Sequence, residues 1–218
     1  MMPEANFLIN PRVILRDLRD PKMYMRAFQV IKNFILRQEI PLVTNDRRIL
    51  EQKIIPYFVD KEEFTKVLFV GCGSYTRHYE KWFKHKQEYW TIDINPFKQI
   101  FGSKKHIVDS SSNLNLYFKE NYLDLIICNG VFGHGLDERE DVDKAYGACY
   151  QCLRNGGVLI IGWNDDAEPF PLGTSESIKK FKPFIFTPLS NSSSQISVAQ
   201  YMNVTDRSES HVYNFYIK

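Results

Sequence analysis

The segment Val67-Leu68-Phe69-Val70-Gly71-Cys72-Gly73-Ser74-Tyr75-Thr76 sets two glycines one residue apart directly after an apolar run. Glycines at such a turn let the backbone approach a ligand with no side chain between, and a helix behind them would offer unpaired N–H groups. Asp93 follows Gly73 at the roughly 20-residue separation at which a strand-end carboxylate can accept both hydroxyls of a ribose. A second acid, Asp109, precedes Ser110 at the end of another short apolar run. Farther on, the loop Asn129-Gly130-Val131-Phe132-Gly133-His134-Gly135-Leu136-Asp137 holds one histidine between two glycines. Imidazole ordinarily titrates near neutrality, which makes His134 the candidate general base, against the plainer alternative of a surface-loop histidine without a role. Glycines turn chains and acids cap strand ends, so each feature alone is weak. Their order along the chain is the specific signal.

Positioning these groups requires strands that end side by side. Val67–Val70, Tyr89–Ile92, His106–Val108, Leu123–Cys128 and Val158–Ile161 are short apolar runs, and Asn155-Gly156-Gly157 turns the chain into the fifth. Amphipathic stretches at Tyr75–Phe83 and Val142–Leu153 lie between them. Continuous apolar strands alternating with helices specify a doubly wound, mostly parallel α/β sheet covered on both faces. Phe184-Ile185-Phe186, Ile196-Ser197-Val198 and the aromatic run His211–Ile217 are further strand candidates. Ahead of the sheet, Tyr24, Phe28, Ile31 and Ile35 recur at helical spacing. A second helix is expected over Asn45–Ile55, capped by Asn45 or Asp46 and stopped by Pro56. The expected organisation is a helical extension over residues 1–60 and a ligand-binding domain over 61–218.

The 218 residues, 44% hydrophobic and 25% charged, suit one folded unit. A formal charge of +2 lacks the basic excess of a phosphate-backbone binder, so nucleic acid is not an expected partner. No run approaches the roughly 18 apolar residues of a membrane span, and the first residues lack a charged start with an apolar core. A cytoplasmic protein without stable membrane association is therefore expected. Cys149 and Cys152 form a single Cys-x-x-Cys on the apolar face of a helix, two ligands where structural zinc needs four. Buried thiols, and no metal, are the expectation.

Two nucleoside-binding layouts share the strand, glycine turn and acid. A dinucleotide fold wants a third glycine where this chain has Thr76, whereas S-adenosylmethionine has no phosphate to cradle. Across roughly Lys66 to Asp165 the chain resembles the class I, Rossmann-like S-adenosylmethionine-dependent methyltransferases. The resemblance is carried by Val67–Gly73, Thr91-Ile92-Asp93-Ile94, Val108-Asp109-Ser110, Leu123–Asn129 and Leu153–Leu159. It implies a seven-stranded-type sheet and S-adenosylmethionine as cofactor. By that resemblance Gly71, Cys72 and Gly73 pass the methionine part, Asp93 binds the ribose and Ile94 packs on adenine. Asp109 and Ser110 contact the adenine amine, and Asn129 borders the sulfonium.

Phe69 stands where many members of that family carry an acid, and Tyr75 where they carry a small residue. These departures keep a non-catalytic binding module of the same fold as an alternative, with a nicotinamide-dependent oxidoreductase behind it. The loop after the fourth strand lacks the Asn/Asp-Pro-Pro-aromatic motif of enzymes that methylate amino groups of nucleic acids or proteins. The expected acceptor is thus a small molecule, a hydroxyl of a sugar or another metabolite being one candidate. Trp163, Asn164 and Asp165, after the fifth strand, are further acceptor-side candidates. The oligomeric state is not readable from these residues.

Overall fold

The structure, a computed structural model, describes residues 44–83, 88–164, 172–186, 200–203 and 211–218, with backbone alone for 200–203. The expected helix over Tyr24–Ile35, the strand at Ile196–Val198 and Asp165 lie outside the described residues.

Strands β1 (Lys66–Val70), β2 (Glu88–Asp93), β3 (Lys105–Val108), β4 (Leu123–Asn129) and β5 (Leu153–Asn164) pair in parallel, followed by β6 (Lys182–Pro183), β7 (Gln200–Asn203) and β8 (His211–Ile217). The order is β3-β2-β1-β4-β5-β8-β6, with β7 also on β8 and every contact of β8 antiparallel. This is the doubly wound, Rossmann-like sheet expected of the sequence. Its central strands bury both faces by simple alternation. Leu68, Val70, Ile126, Cys128, Leu159 and Ile161 enter one apolar cluster, and Val67, Phe69, Leu125, Ile127, Val158 and Ile160 enter the other.

On the first face lies a helix over Arg139–Cys152, which contributes Val142, Ala145, Tyr146, Cys149 and Cys152. Both cysteines of the Cys-x-x-Cys are buried thiols, and burial pushes Cys152 up to about 11. The other face is covered by a helical stretch running from Asn45 to Val59, whose Ile49, Leu50, Ile54, Ile55 and Phe58 join the core. Phe58, Phe64 and Val67 share one cluster, so the packing is continuous from this stretch into β1. Thr44, rather than Asn45 or Asp46, is the N-cap. Nor does Pro56 stop this helix. A π-turn over Leu50–Ile54 sends the Ile55 N–H to the Leu50 carbonyl, moving the ladder by one residue just ahead of the missing donor.

The turn expected at Asn155–Gly157 is absorbed as a bulge within β5: Leu123 pairs Leu153, yet Leu125 pairs Val158. At this amino-terminal edge Asp124 accepts from the Thr65 and Lys66 amides at 2.8 and 2.7 Å and from Arg154 Nε at 2.7 Å. Burial works against its charge, but these donors hold the carboxyl below its ordinary range. The sequence-selected polar residues among those described belong to the opposite, carboxyl edge. Among the described residues no helix is long and apolar enough to cross a membrane.

Candidate cofactor and acceptor site

At the end of β1 the chain turns through Gly71 with φ +87°, a conformation open to glycine at little cost. A Cβ there would meet Val131 Cγ2 at 2.7 Å, so the β1 and β4 loops touch backbone to side chain. The Cys72 N–H donates to Asp93 Oδ2 at 2.7 Å, and the Asn95 N–H to Oδ1 at 2.9 Å. Lys98 Nζ lies 3.4 Å from Oδ2. The acid is buried; Oδ1 keeps a lone pair for a further donor, while the second lone pair of Oδ2 faces the half-exposed Lys98 ammonium, which a ribose hydroxyl would displace. Burial, with the Asp93 charge beside it, pushes the Cys72 thiol up to about 12, so Cys72 is neutral and no nucleophile.

The expected helix over Tyr75–Phe83 is instead a 3-10 turn, Arg77–Lys81. Tyr79 and Trp82 stack at 4.8 Å, and eclipsed i, i+3 side chains are what 3-10 geometry supplies. The helix N-terminus anticipated behind the glycines is therefore absent. The Gly73 N–H is taken by Thr76 Oγ1 at 3.0 Å, whose hydroxyl in turn donates to the Gly73 carbonyl. Phe69, in place of an acid, is fully buried and packs edge-on against Tyr79 at 5.4 Å.

At the ends of β2 and β3, Ile94 is 64% exposed, an apolar side chain open to a planar ligand. Asp109 Oδ1 accepts from the Ser110 amide and Asn113 Nδ2, and Oδ2 from the Tyr117 hydroxyl at 2.8 Å. One Oδ2 lone pair remains for an amine. Ser110 caps the following turn by accepting from the Ser112 amide.

The ends of β4, β5 and β8 meet in a different cluster. Asn129 is buried, and its Oδ1 lies 3.2 Å from His211 Nε2, while His211 Nδ1 lies 2.6 Å from Asn164 Oδ1. Burial depresses His211 to about 4, with Asp46 opposing and Arg47 and His134 reinforcing the shift. A neutral imidazole has one N–H, so one amide must turn its oxygen to the ring and the other its NH2. Gly162 makes room for this chain: a Cβ there would collide with the Asn129 amide and approach Tyr213 and His211 within 3 Å. His134 is exposed, and its Nδ1 lies 2.6 Å from the Gly133 carbonyl. A carbonyl only accepts, so Nδ1 carries the proton and a neutral ring leaves the Nε2 lone pair available. Trp163 points elsewhere, buried with its Nε1 donating to Asn214 Oδ1 and its ring edge-on to Phe132. It is a packing residue of the core.

Two residues at the site escape the sequence motifs. His211 opens a strand 82 residues beyond Asn129, with no local pattern around it. Arg47, 5% exposed, projects from the Asn45–Val59 stretch, donates to the Tyr79 hydroxyl at 3.2 Å and stacks 4.1 Å over the Tyr75 ring. Burial works against its charge, but Tyr79, Tyr75 and Tyr213 outweigh that and hold it above its ordinary range. The Tyr213 hydroxyl donates to the Asp46 carbonyl at 3.1 Å, joining that stretch to β8. No group of acids, histidines and cysteines among the described residues could hold a metal ion.

A methyltransferase-domain family matches residues 68–161, the span from β1 to β5 that carries these groups. No curated protein matches the sequence. Among solved structures, the 1,6-didemethyltoxoflavin-N1-methyltransferase of Burkholderia thailandensis superposes with a TM-score of 0.57 at 14% identity, covering 99% of this chain and 93% of that one. It holds 1,6-didemethyltoxoflavin and S-adenosylhomocysteine. The N-methyltransferase NodS of Bradyrhizobium japonicum, in complex with S-adenosylhomocysteine, gives 0.52 at 11% identity over 95% and 97% of the two chains. A methyltransferase of Archaeoglobus fulgidus gives 0.51 at 14% identity over 79% and 92%. At these identities the superpositions speak for the fold, and the matched domain supplies the activity class. That domain lies over the glycine turn, the strand-end acids and this sheet order, so the span from β1 to β5 is similar to the class I S-adenosylmethionine-dependent methyltransferases.

Proposed function

We propose that the chain methylates a small molecule, with the cofactor along the ends of β1 to β3 and the acceptor at the ends of β4, β5 and β8. The observation that carries this reading is Asp93: a buried strand-end carboxylate, anchored to the Cys72 and Asn95 amides, with a lone pair left on Oδ1 and only the half-exposed Lys98 on the second lone pair of Oδ2. S-adenosylmethionine supplies an electrophilic methyl group on a sulfonium, and transfer in line to a nucleophile depends chiefly on alignment. Asp93 takes the ribose hydroxyls, Ile94 covers the adenine face, and Asp109 with Ser110 receives the adenine amine. The backbone of Gly71 to Gly73 lies along the methionine chain. Asn129 borders the reacting centre, its amide oriented by His211. His134, exposed beside it with Nε2 as acceptor, removes the proton when the acceptor is a hydroxyl. A toxoflavin precursor at one neighbour of this fold is in keeping with a small acceptor. A hydroxyl-bearing metabolite remains our choice, because the edge offers neutral amides and an imidazole in place of a basic groove.

Isothermal titration with S-adenosylmethionine and S-adenosylhomocysteine tests the cofactor half. Binding of order −8 kcal/mol, micromolar in Kd, is the expected result. A screen of small hydroxyl and amine compounds, read by release of S-adenosylhomocysteine, tests the acceptor half. Turnover on nucleic acid or protein alone would overturn the small-molecule assignment.

A further inference from the structure

Tyr75 fills the place where the family pattern leads one to expect a small residue, and its ring does not point away from the loop. A Cβ built on Gly73 would lie 2.8 Å from both Cε1 and Cζ of that ring, so the phenol rests directly on the loop backbone. Over the same ring sits the Arg47 guanidinium, 4.1 Å from the centroid. Arg47 is 5% exposed, and its Nε has no hydrogen-bond partner. Among the described residues no carboxylate pairs with it, and Glu51 reaches this network only through the Tyr79 hydroxyl at 2.9 Å. A buried guanidinium without a counter-charge is costly, and an aromatic face offsets only part of that cost. The ligand best matched to a planar fork with a spare N–H is a carboxylate.

We propose that Tyr75 and Arg47 form a latch on the Gly71–Gly73 loop that opens by exchange: an amino-acid carboxylate takes the guanidinium, and the Tyr75 ring leaves Gly73. The inference rests on the reading of this loop as the passage for the methionine part of the cofactor. Tyr75 is then an internal competitor for Arg47 rather than a mark of lost function. The pair also sets specificity. Nucleoside thioethers that carry the α-amino-acid carboxylate open the latch, and those that lack it meet a covered loop.

Titration of the full chain with S-adenosylhomocysteine and with 5′-methylthioadenosine, which has the nucleoside and thioether but no carboxylate, separates the two ligand classes. Arg47→Met is expected to weaken S-adenosylhomocysteine at least about tenfold and to leave 5′-methylthioadenosine within about twofold. Arg47→Lys, which keeps the charge and loses the fork, should fall between, and it carries the comparison if the methionine variant does not fold. Tyr75→Ala should tighten S-adenosylhomocysteine by about threefold or more, while Tyr75→Phe, which keeps the aromatic face, should match the parent. The latch is overturned if both Arg47 variants leave the ratio of the two affinities unchanged, or if Tyr75→Ala weakens S-adenosylhomocysteine. A parent protein that binds neither ligand would overturn the cofactor reading itself. A parent that binds while the ratio stays constant in the variants would overturn the latch alone.

Discussion

The two halves of the carboxyl edge are built from opposite kinds of polar group. On the β1–β3 side the groups are carboxylates, each already anchored: Asp93 by the Cys72 and Asn95 amides, Asp109 by its own turn and Tyr117. On the β4–β5–β8 side they are neutral, an amide–imidazole–amide chain with a second histidine beside it. Fixed charge suits a ligand that is the same in every turnover, because its ribose and amine always need the same acceptors. Neutral groups that can each donate or accept suit an acceptor that must be held while it changes charge. The difference also follows chain distance. Asp93 lies 21 residues from its partner Cys72, whereas Asn129 and His211 are 82 apart.

The sharpest way to break the acceptor half is to fill the space that allows it. Gly162→Ala places a methyl group against the Asn129 amide, Tyr213 and His211 at once, and each of these packed side chains would have to shift to admit it. Overpacking of this kind should cost about 3 kcal/mol, read as a lower urea midpoint at unchanged m-value. A loss below about 0.5 kcal/mol would mean that the three side chains do not meet behind Gly162.

On the cofactor half the largest loss should come from Asp93→Ala, which removes a charged acceptor from the ligand and strips the Cys72 amide of its partner. Binding of S-adenosylhomocysteine should weaken about a hundredfold, or about 3 kcal/mol. Asp93→Asn keeps one acceptor and should lose less. Equal affinity of parent and Asp93→Ala in calorimetry would remove the ribose role. Across the divide, His134→Ala should spare this binding and lower kcat on a hydroxyl acceptor by about a hundredfold, the lower limit of base catalysis, because the ring is exposed. An unchanged kcat would return His134 to an ordinary loop residue.

How far each half was legible follows from the same distances. The cofactor half could be read because Val67–Gly73 and Thr91–Ile94 are local patterns: a buried parallel strand must be apolar throughout, and its end must carry the polar group. The alternation of Leu68 and Val70 against Val67 and Phe69 between two clusters is the physical content of that pattern. The Tyr75–Phe83 helix failed because Tyr79 and Trp82 prefer to stack, a preference that helical periodicity does not register. Pro56 misled because the π-turn that accommodates it is set by packing of Ile54, Ile55 and Phe58 on the sheet. Arg47 and His211 could not be found at all, since each reaches the site only through the antiparallel return of β8 and the fold-back of the first helical stretch.

The smallest effect tests whether the acceptor half is neutral in the sense the comparison requires. His211 is held at about 4 by burial, against an ordinary value of 6.5. Between those values the unfolded chain binds a proton that the folded chain refuses, so unfolding is favoured as pH falls. The stabilisation is therefore full above about pH 6.5, declines as pH drops toward 4, and is constant below that. The shift sets a ceiling near 3 kcal/mol, and the ring's part exposure brings the expected loss to about 1 to 2 kcal/mol. Asp46, Arg47 and His134 also act on this ring, so the comparison with a variant, and not the raw pH curve, isolates its part. His211→Gln removes the imidazole while keeping a group that can both donate and accept between Asn129 and Asn164. Urea unfolding of both proteins at pH 7, 6, 5 and 4.5 should give curves that converge as the pH falls, the parent losing more. Parallel curves would mean that His211 titrates alike in the folded and unfolded chains. The imidazole would then stand in the folded protein as a cation over the acid range, with both amide oxygens turned to it, and the two halves of the edge would differ in the sign of their charge rather than in its presence.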